Sequence, residues 1–243
     1  MARKRISEED ILNFRKQAEE LSREVKAKYD KMDSAARPAP EPEPTGERGI
    51  LLIHDAGGSP DQLKAFSELL RADGCATECV DLTGYVPVDR FDKKPMWQRW
   101  LELTQDAYQR LSERCERLLV LGTGLSCPLA CVIAEQFPVD ALVLVGGGLK
   151  KSGLIVFSGG AKSTSFQLAR LAKNNLFSIV CPVLCLVPDD CAPYSAQSAN
   201  MYALATRSED VRIEKFPGDD VSHIWTNCEK ALFEAIKGFF TGD

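Results

Sequence analysis

Between Ile50 and Phe216 short, almost uninterrupted apolar runs alternate with longer stretches whose apolar residues recur every three or four positions. The runs lie at 50–54, 76–80, 117–122, 141–145, 183–187 and 211–216. Near-continuous hydrophobicity is what a parallel sheet covered on both faces requires, and the amphipathic stretches between the runs supply crossover helices. The first crossover shows the pattern. Ser59 offers an N-cap, Pro60 suits the first helical position, Leu63, Phe66, Leu69 and Leu70 share one stripe, and Gly74 ends the helix. Trp97, Trp100, Leu101 and Leu103 read as the packing face of the next one. From Gly146 to Ser165 the composition turns to Gly, Lys and Ser around one apolar patch at 154–157, which predicts an irregular excursion at the C-terminal edge of the sheet. The expected fold class is α/β, a doubly wound and mostly parallel sheet with a minimal cap.

Ahead of this region the pattern differs. Ile11, Phe14, Ala18, Leu21, Val25 and Met32 form a narrow heptad stripe, and Ser7 with Asp10 offers a capping start. This predicts an amphipathic, coiled-coil-like helix within residues 1–32. It either docks on its own domain or pairs with a second copy or another partner. Residues 33–48 carry Pro38, Pro40, Pro42 and Pro44 among Ala and Glu, a composition that favours a semi-rigid linker. Residues 49–243 form the α/β domain.

Composition narrows the function classes. The chain has 243 residues, 44% hydrophobic and 27% charged, which suits a globular domain and excludes disordered, collagen-like and membrane-spanning classes. Thirty Lys and Arg against 35 Asp and Glu give a formal charge of −5, so no basic field gathers nucleic acid. Nine cysteines, an odd number, follow a polar opening at residues 2–5 that lacks an apolar signal segment, and the expectation is a reduced, cytoplasmic protein. The pairs Cys75/Cys79, Cys127/Cys131 and Cys181/Cys185 recur four apart, whereas zinc knuckles want C-x2-C or nearby histidines. They are read as small buried residues, and neither metal nor cofactor is expected. Imidazole chemistry has two places to look, His54 and His223.

Gly122-Thr123-Gly124 follows a strand and opens a helix, as a dinucleotide fingerprint would. Cys127 stands in place of the third glycine, and no acidic residue ends the following strand to hold a ribose. The same residues fit a second frame. The run from Ile50 to Gly58 through His54-Asp55-Ala56-Gly57, the turn Gly122-Thr123-Gly124-Leu125-Ser126, Asp189-Asp190, and Pro217-Gly218 before His223 together resemble the α/β-hydrolase fold. Within it they are similar to small bacterial carboxylesterases and monoacylglycerol-lipase-like serine hydrolases. The order nucleophile, acid, base along the chain is also that family's.

The resemblance implies His223 as base, with Asp190, or Asp189 beside it, as acid. It implies an oxyanion hole from the backbone of Ala56 and of Leu125, and a small acyl or ester-like ligand. Where the family has serine at the centre of G-x-S-x-G, this chain has Gly124, which carries no hydroxyl. Three readings stay open. The protein has lost nucleophilic catalysis and glycine occupies the strained turn; or Ser126 is a displaced nucleophile in an active carboxylesterase with His223 and Asp190; or Cys127 supplies a thiolate. A scaffold or oligomerisation protein working through its N-terminal helix is the alternative from another class. Asp55 stands where the family's loop has glycine. A carboxylate there opposes developing negative charge; the plainer reading is a solvent-facing or capping Asp. His54 is expected to be structural.

Overall fold

The computed structural model describes residues 46–83, 94–147, 160–189, 199–200, 202, 204–217, 225 and 229–241. The expected N-terminal helix, Asp190 and His223 lie outside them. The strands are β1 (Gly46–Ile53), β2 (Ala76–Val80), β3 (Cys115–Thr123), β4 (Ala141–Val145), β5 (Val183–Pro188) and β6 (Val211–Phe216). The helices are α1 (Lys64–Ala72), α2 (Met96–Ser112), α3 (Cys127–Gln136), α4 (Gly160–Lys173) and α5 (Glu229–Thr241). All neighbouring strands are parallel, in the order β2-β1-β3-β4-β5-β6. All six expected strands form, and β1 reaches back to Gly46, into the stretch read as linker. None of the helices among the described residues is long and apolar enough to cross a membrane.

Both sheet faces are covered, and the period of two sorts the strand residues between them. Leu51, Ile53, Val120, Leu142, Leu144 and Cys185 join a core with α2, α3 and α4. Ile50, Leu52, Leu119, Leu121, Val143 and Leu186 join a second with α1 and α5. Each fully buried Leu or Ile stabilises the fold by roughly 1.5–3 kcal/mol, and a slip of one residue would exchange the two faces, so the register is firmly specified. All seven described cysteines are free thiols, and six of them are buried. Burial pushes the thiol of Cys185 up to about 12, so it behaves as a small apolar residue.

Three local expectations are corrected. Ser59 is extended at φ −137° and its side chain caps nothing; Pro60 instead opens a 3-10 turn, Pro60–Leu63, that leads into α1. Gly74 does end that helix, at φ +84°. Leu103 is 39% exposed, because the buried face of α2 runs through Trp100, Thr104, Ala107, Tyr108 and Leu111 and leaves position 103 outside it. The irregular excursion expected through Ser165 stops earlier, since α4 begins at Gly160.

Candidate active site

The turn between β3 and α3 is built to bring strand and helix together. A Cβ on Gly122 would meet Ala130 Cβ at 2.7 Å and Cys127 Cα at 3.1 Å, so only glycine lets the backbones approach this closely. Gly124 follows at φ +52°, the left-handed region that glycine enters without strain. The 3-10 turn Gly124–Ser126 then passes into α3, where Pro128 occupies the first turn. This is the strand, sharp turn and helix of a nucleophile elbow, with Gly124 at its apex.

Neither alternative nucleophile is displayed there. Ser126 is fully buried, and its Oγ has no hydrogen-bond partner. Cys127 is also fully buried, and its thiol donates towards the carbonyls of Gly122 and Val145. Reactive thiolates sit in partly exposed, electropositive surroundings, unlike this one.

The space over Gly124 is filled from the end of β1. Asp55 Oδ1 accepts the backbone N–H of Leu125 at 2.8 Å. A Cβ on Gly124 would lie 2.6 Å from Asp55 Oδ1, 2.7 Å from Cγ and 2.9 Å from Oδ2. The carboxylate therefore occupies the volume a nucleophile's side chain would need, and it engages the amide expected to donate to an oxyanion. Asp55 is half-buried. Of the two meanings weighed for this residue, capping is realised, and the donor it caps is the elbow's own.

The neighbouring groups hold this arrangement in place. The Asp55 carbonyl accepts Gly58 N–H at 2.8 Å, closing the tight turn that contains Ala56. The same carbonyl pairs with His54 Nδ1 at 2.8 Å, and Leu82 N–H points at His54 Nε2 from 3.0 Å. A carbonyl only accepts and an N–H only donates, so His54 is neutral with its proton on Nδ1. Burial lowers its pKa, the largest influence, and the Asp55 carbonyl pulls the other way. His54 is thus a structural clamp between the ends of β1 and β2, as expected.

Asp189 follows β5, with its side chain exposed and its N–H bonded to the Phe216 carbonyl at 2.7 Å. It lies at the C-terminal edge of the sheet beside the end of β6. Trp225 is buried edge-on against Phe66, with ring centroids 5.1 Å apart. What the elbow can do follows from charge. Two unit charges about 4 Å apart repel by roughly 4 kcal/mol at an effective dielectric near 20. One oxyanion donor supplies about 2.7–4 kcal/mol. An oxyanion at Leu125 would therefore lose to Asp55 about what the amide gives.

The sequence signal for this contact was present but split. Asp stands where glycine is usual at position 55, and glycine where serine is usual at 124. Only the structure shows that the two positions share one volume.

No family model matches the chain. It is 24% identical over 177 residues, covering 60% of this chain and 71% of the relative, to the thermostable monoacylglycerol lipase of Bacillus sp. (strain H-257). A structure from the work on LipS and LipT, two metagenome-derived lipolytic enzymes, superposes with a TM-score of 0.70 at 15% identity, covering 83% of this chain and 96% of that one. The monoacylglycerol lipase of Paleococcus ferrophilus gives 0.64 at 16% identity, with 80% and 96% covered. With its six-stranded parallel sheet and helices on both faces, the protein has the α/β-hydrolase fold and resembles the lipolytic enzymes that share it.

Proposed function

We propose that this is an α/β-hydrolase-fold protein of esterase type that no longer performs serine acyl transfer, and that its site holds small acyl or ester-like ligands without cleaving them. The observation that carries this reading is the Asp55 carboxylate bonded to Leu125 N–H over a glycine apex. An apex without a hydroxyl removes the nucleophile, and the carboxylate opposes the oxyanion that any substitute nucleophile would create. His223, with Asp190 or Asp189, is retained in this reading as the remnant of the charge relay. Ala56 and Leu125 are the remnant of the oxyanion hole.

Removing a triad nucleophile costs about 10⁶ in turnover and leaves roughly 10³–10⁴ over water. Part of that residual comes from the oxyanion hole, which Asp55 engages here, so purified protein is expected to hydrolyse short p-nitrophenyl esters at or below that level and to resist fluorophosphonate labelling. Robust labelling that disappears in Ser126→Ala would overturn the reading in favour of an active carboxylesterase using Ser126, His223 and Asp190. Labelling that survives Ser126→Ala but is lost in Cys127→Ala would overturn it in favour of the thiol.

A further inference from the structure

A cavity of about 710 Å³ opens at the opposite edge of the sheet from the elbow. It is framed by Cys115, the first residue of β3, by Asp140 before β4, and by Cys181 before β5. With about 3.3 Å per residue, the nine residues of β3 separate it from Gly124 by roughly 30 Å. Its volume falls within the range of small-molecule sites, about 300–1,000 Å³.

Two features define what it would take. Leu118, Phe137 and Val180 give it an apolar wall, and Val180 is 68% exposed at the mouth. All its charged lining residues, Glu116, Glu135 and Asp140, are acidic, with neither Lys nor Arg among the lining residues. Asp140 is already engaged through Oδ2, which accepts Leu118 N–H at 2.7 Å. Glu135 Oε1 is buried and has no hydrogen-bond partner. A buried acceptor without a donor costs about 1–3 kcal/mol, and more when charged, so a donor brought by a ligand is favoured there.

We propose that this cavity is a second ligand site that takes amphipathic amines, organic cations with an ammonium head and an apolar body. The head donates to Glu135 while the body lies on Phe137, Leu118 and Val180. A carboxylate ligand of the same shape is rejected by the three acidic side chains. Burial pushes the Glu135 carboxyl up to about 8 against a weaker downward pull from an Asn175 hydrogen bond, so without a cation beside it the group keeps its proton until mildly alkaline pH.

The test is isothermal titration calorimetry of the full-length protein at pH 9, where the Glu135 carboxyl is ionised and octylammonium is still a cation, with octylammonium, 1-octanol and octanoate as probes. Saturable octylammonium binding is expected, at least about tenfold tighter than octanol, with no binding of octanoate. Val180→Arg places a cation at the mouth, on a residue whose exposure leaves the core untouched, and should weaken octylammonium at least about tenfold. Glu135→Gln should do the same, while Asp55→Gly should leave the affinity unchanged. Absence of saturable octylammonium binding, equal binding of octanoate or octanol, or an unchanged affinity in folded Val180→Arg or Glu135→Gln would overturn the proposal. So would loss of binding in Asp55→Gly, which would move the ligand to the elbow.

Discussion

Restoring serine to the elbow in two ways isolates the contribution of Asp55. Gly124→Ser alone forces a side chain into φ +52°, a conformation that costs roughly 1–3 kcal/mol for a non-glycine residue. It also drives a Cβ to within 2.6–2.9 Å of the Asp55 carboxylate, which must swing away and release Leu125 N–H. A hydrogen bond to a charged group contributes about 1.5–3 kcal/mol, so the single variant should lose about 2.5–6 kcal/mol in all. In Asp55→Gly that bond is already gone, and adding Gly124→Ser costs only the backbone strain. The double-mutant cycle should therefore show a coupling of about 1.5–3 kcal/mol, the double variant being more stable than the sum of the singles predicts. Urea unfolding of the four proteins measures it. Activity supplies the second readout. In Gly124→Ser the displaced carboxylate stays beside the elbow, and a negative charge about 4 Å from the oxyanion opposes it by roughly 4 kcal/mol at an effective dielectric near 20. Asp55→Gly/Gly124→Ser should thus label with fluorophosphonate and hydrolyse p-nitrophenyl acetate at least about a hundredfold faster than Gly124→Ser. Additive stabilities, with coupling below about 0.5 kcal/mol, would refute the shared-volume argument; a double variant no faster than the single would refute the opposition between the Asp55 charge and the oxyanion.

Gly122→Ala should destabilise the protein by about 1–3 kcal/mol, because the new methyl overlaps Ala130 Cβ at 2.7 Å; an unchanged urea midpoint would contradict the close approach. His54 has a folded pKa below that of the unfolded chain, so the unfolded state binds more protons as pH falls through about 6.5. Stability should drop from pH 7 towards pH 5, and His54→Gln should flatten that slope in urea titrations. Glu135 has the opposite sign. Its folded pKa, about 8, lies above the ordinary carboxyl value of 4.5, so the folded state holds the proton longer. Its contribution is full below 4.5 and is lost as pH rises through 8. Glu135→Gln should therefore gain stability relative to wild type at pH 8–9, and a parallel pH profile would exclude the buried carboxyl as its source.

The parts legible in the sequence were those fixed by local pattern. The run 141–145, five Val, Leu and Ala residues between Pro138 and Gly146, has the length and flanks of a strand buried on both faces, and Gly74 ends α1 because a left-handed residue is needed there. The elbow was legible because Gly122 and Gly124 fall at a strand-to-helix junction. Cap chemistry was not, since Pro60 draws its turn into 3-10 geometry and leaves the Ser59 hydroxyl no amide to cap. Nor was the exposure of Leu103, which depends on how α2 is rotated against the sheet and not on its composition. The contact between Asp55 and Gly124 joins residues 69 positions apart and rests on the pairing of Ile53 with Gly122, so no local pattern could announce it.

That pairing also explains why a carboxylate, and not simply an empty turn, occupies the site. The amides at the start of α3 lack helical partners, and in a serine hydrolase Leu125 N–H would find its acceptor in the substrate. On the proposed reading, in which no oxyanion forms, an acceptor in the chain itself is the stable solution, and position 55 lies within reach because β1 and β3 are in register at their ends. An aspartate there satisfies the donor and complements the positive end of α3, each effect worth of order 1 kcal/mol. Glycine at 124 is the condition for it, because any Cβ would expel the carboxylate. The two residues thus form one structural unit, in which the absence of a side chain at 124 and the carboxylate at 55 are a single exchange of volume. The fold is stabilised at the point where a working esterase must leave an amide unpaired for its transition state.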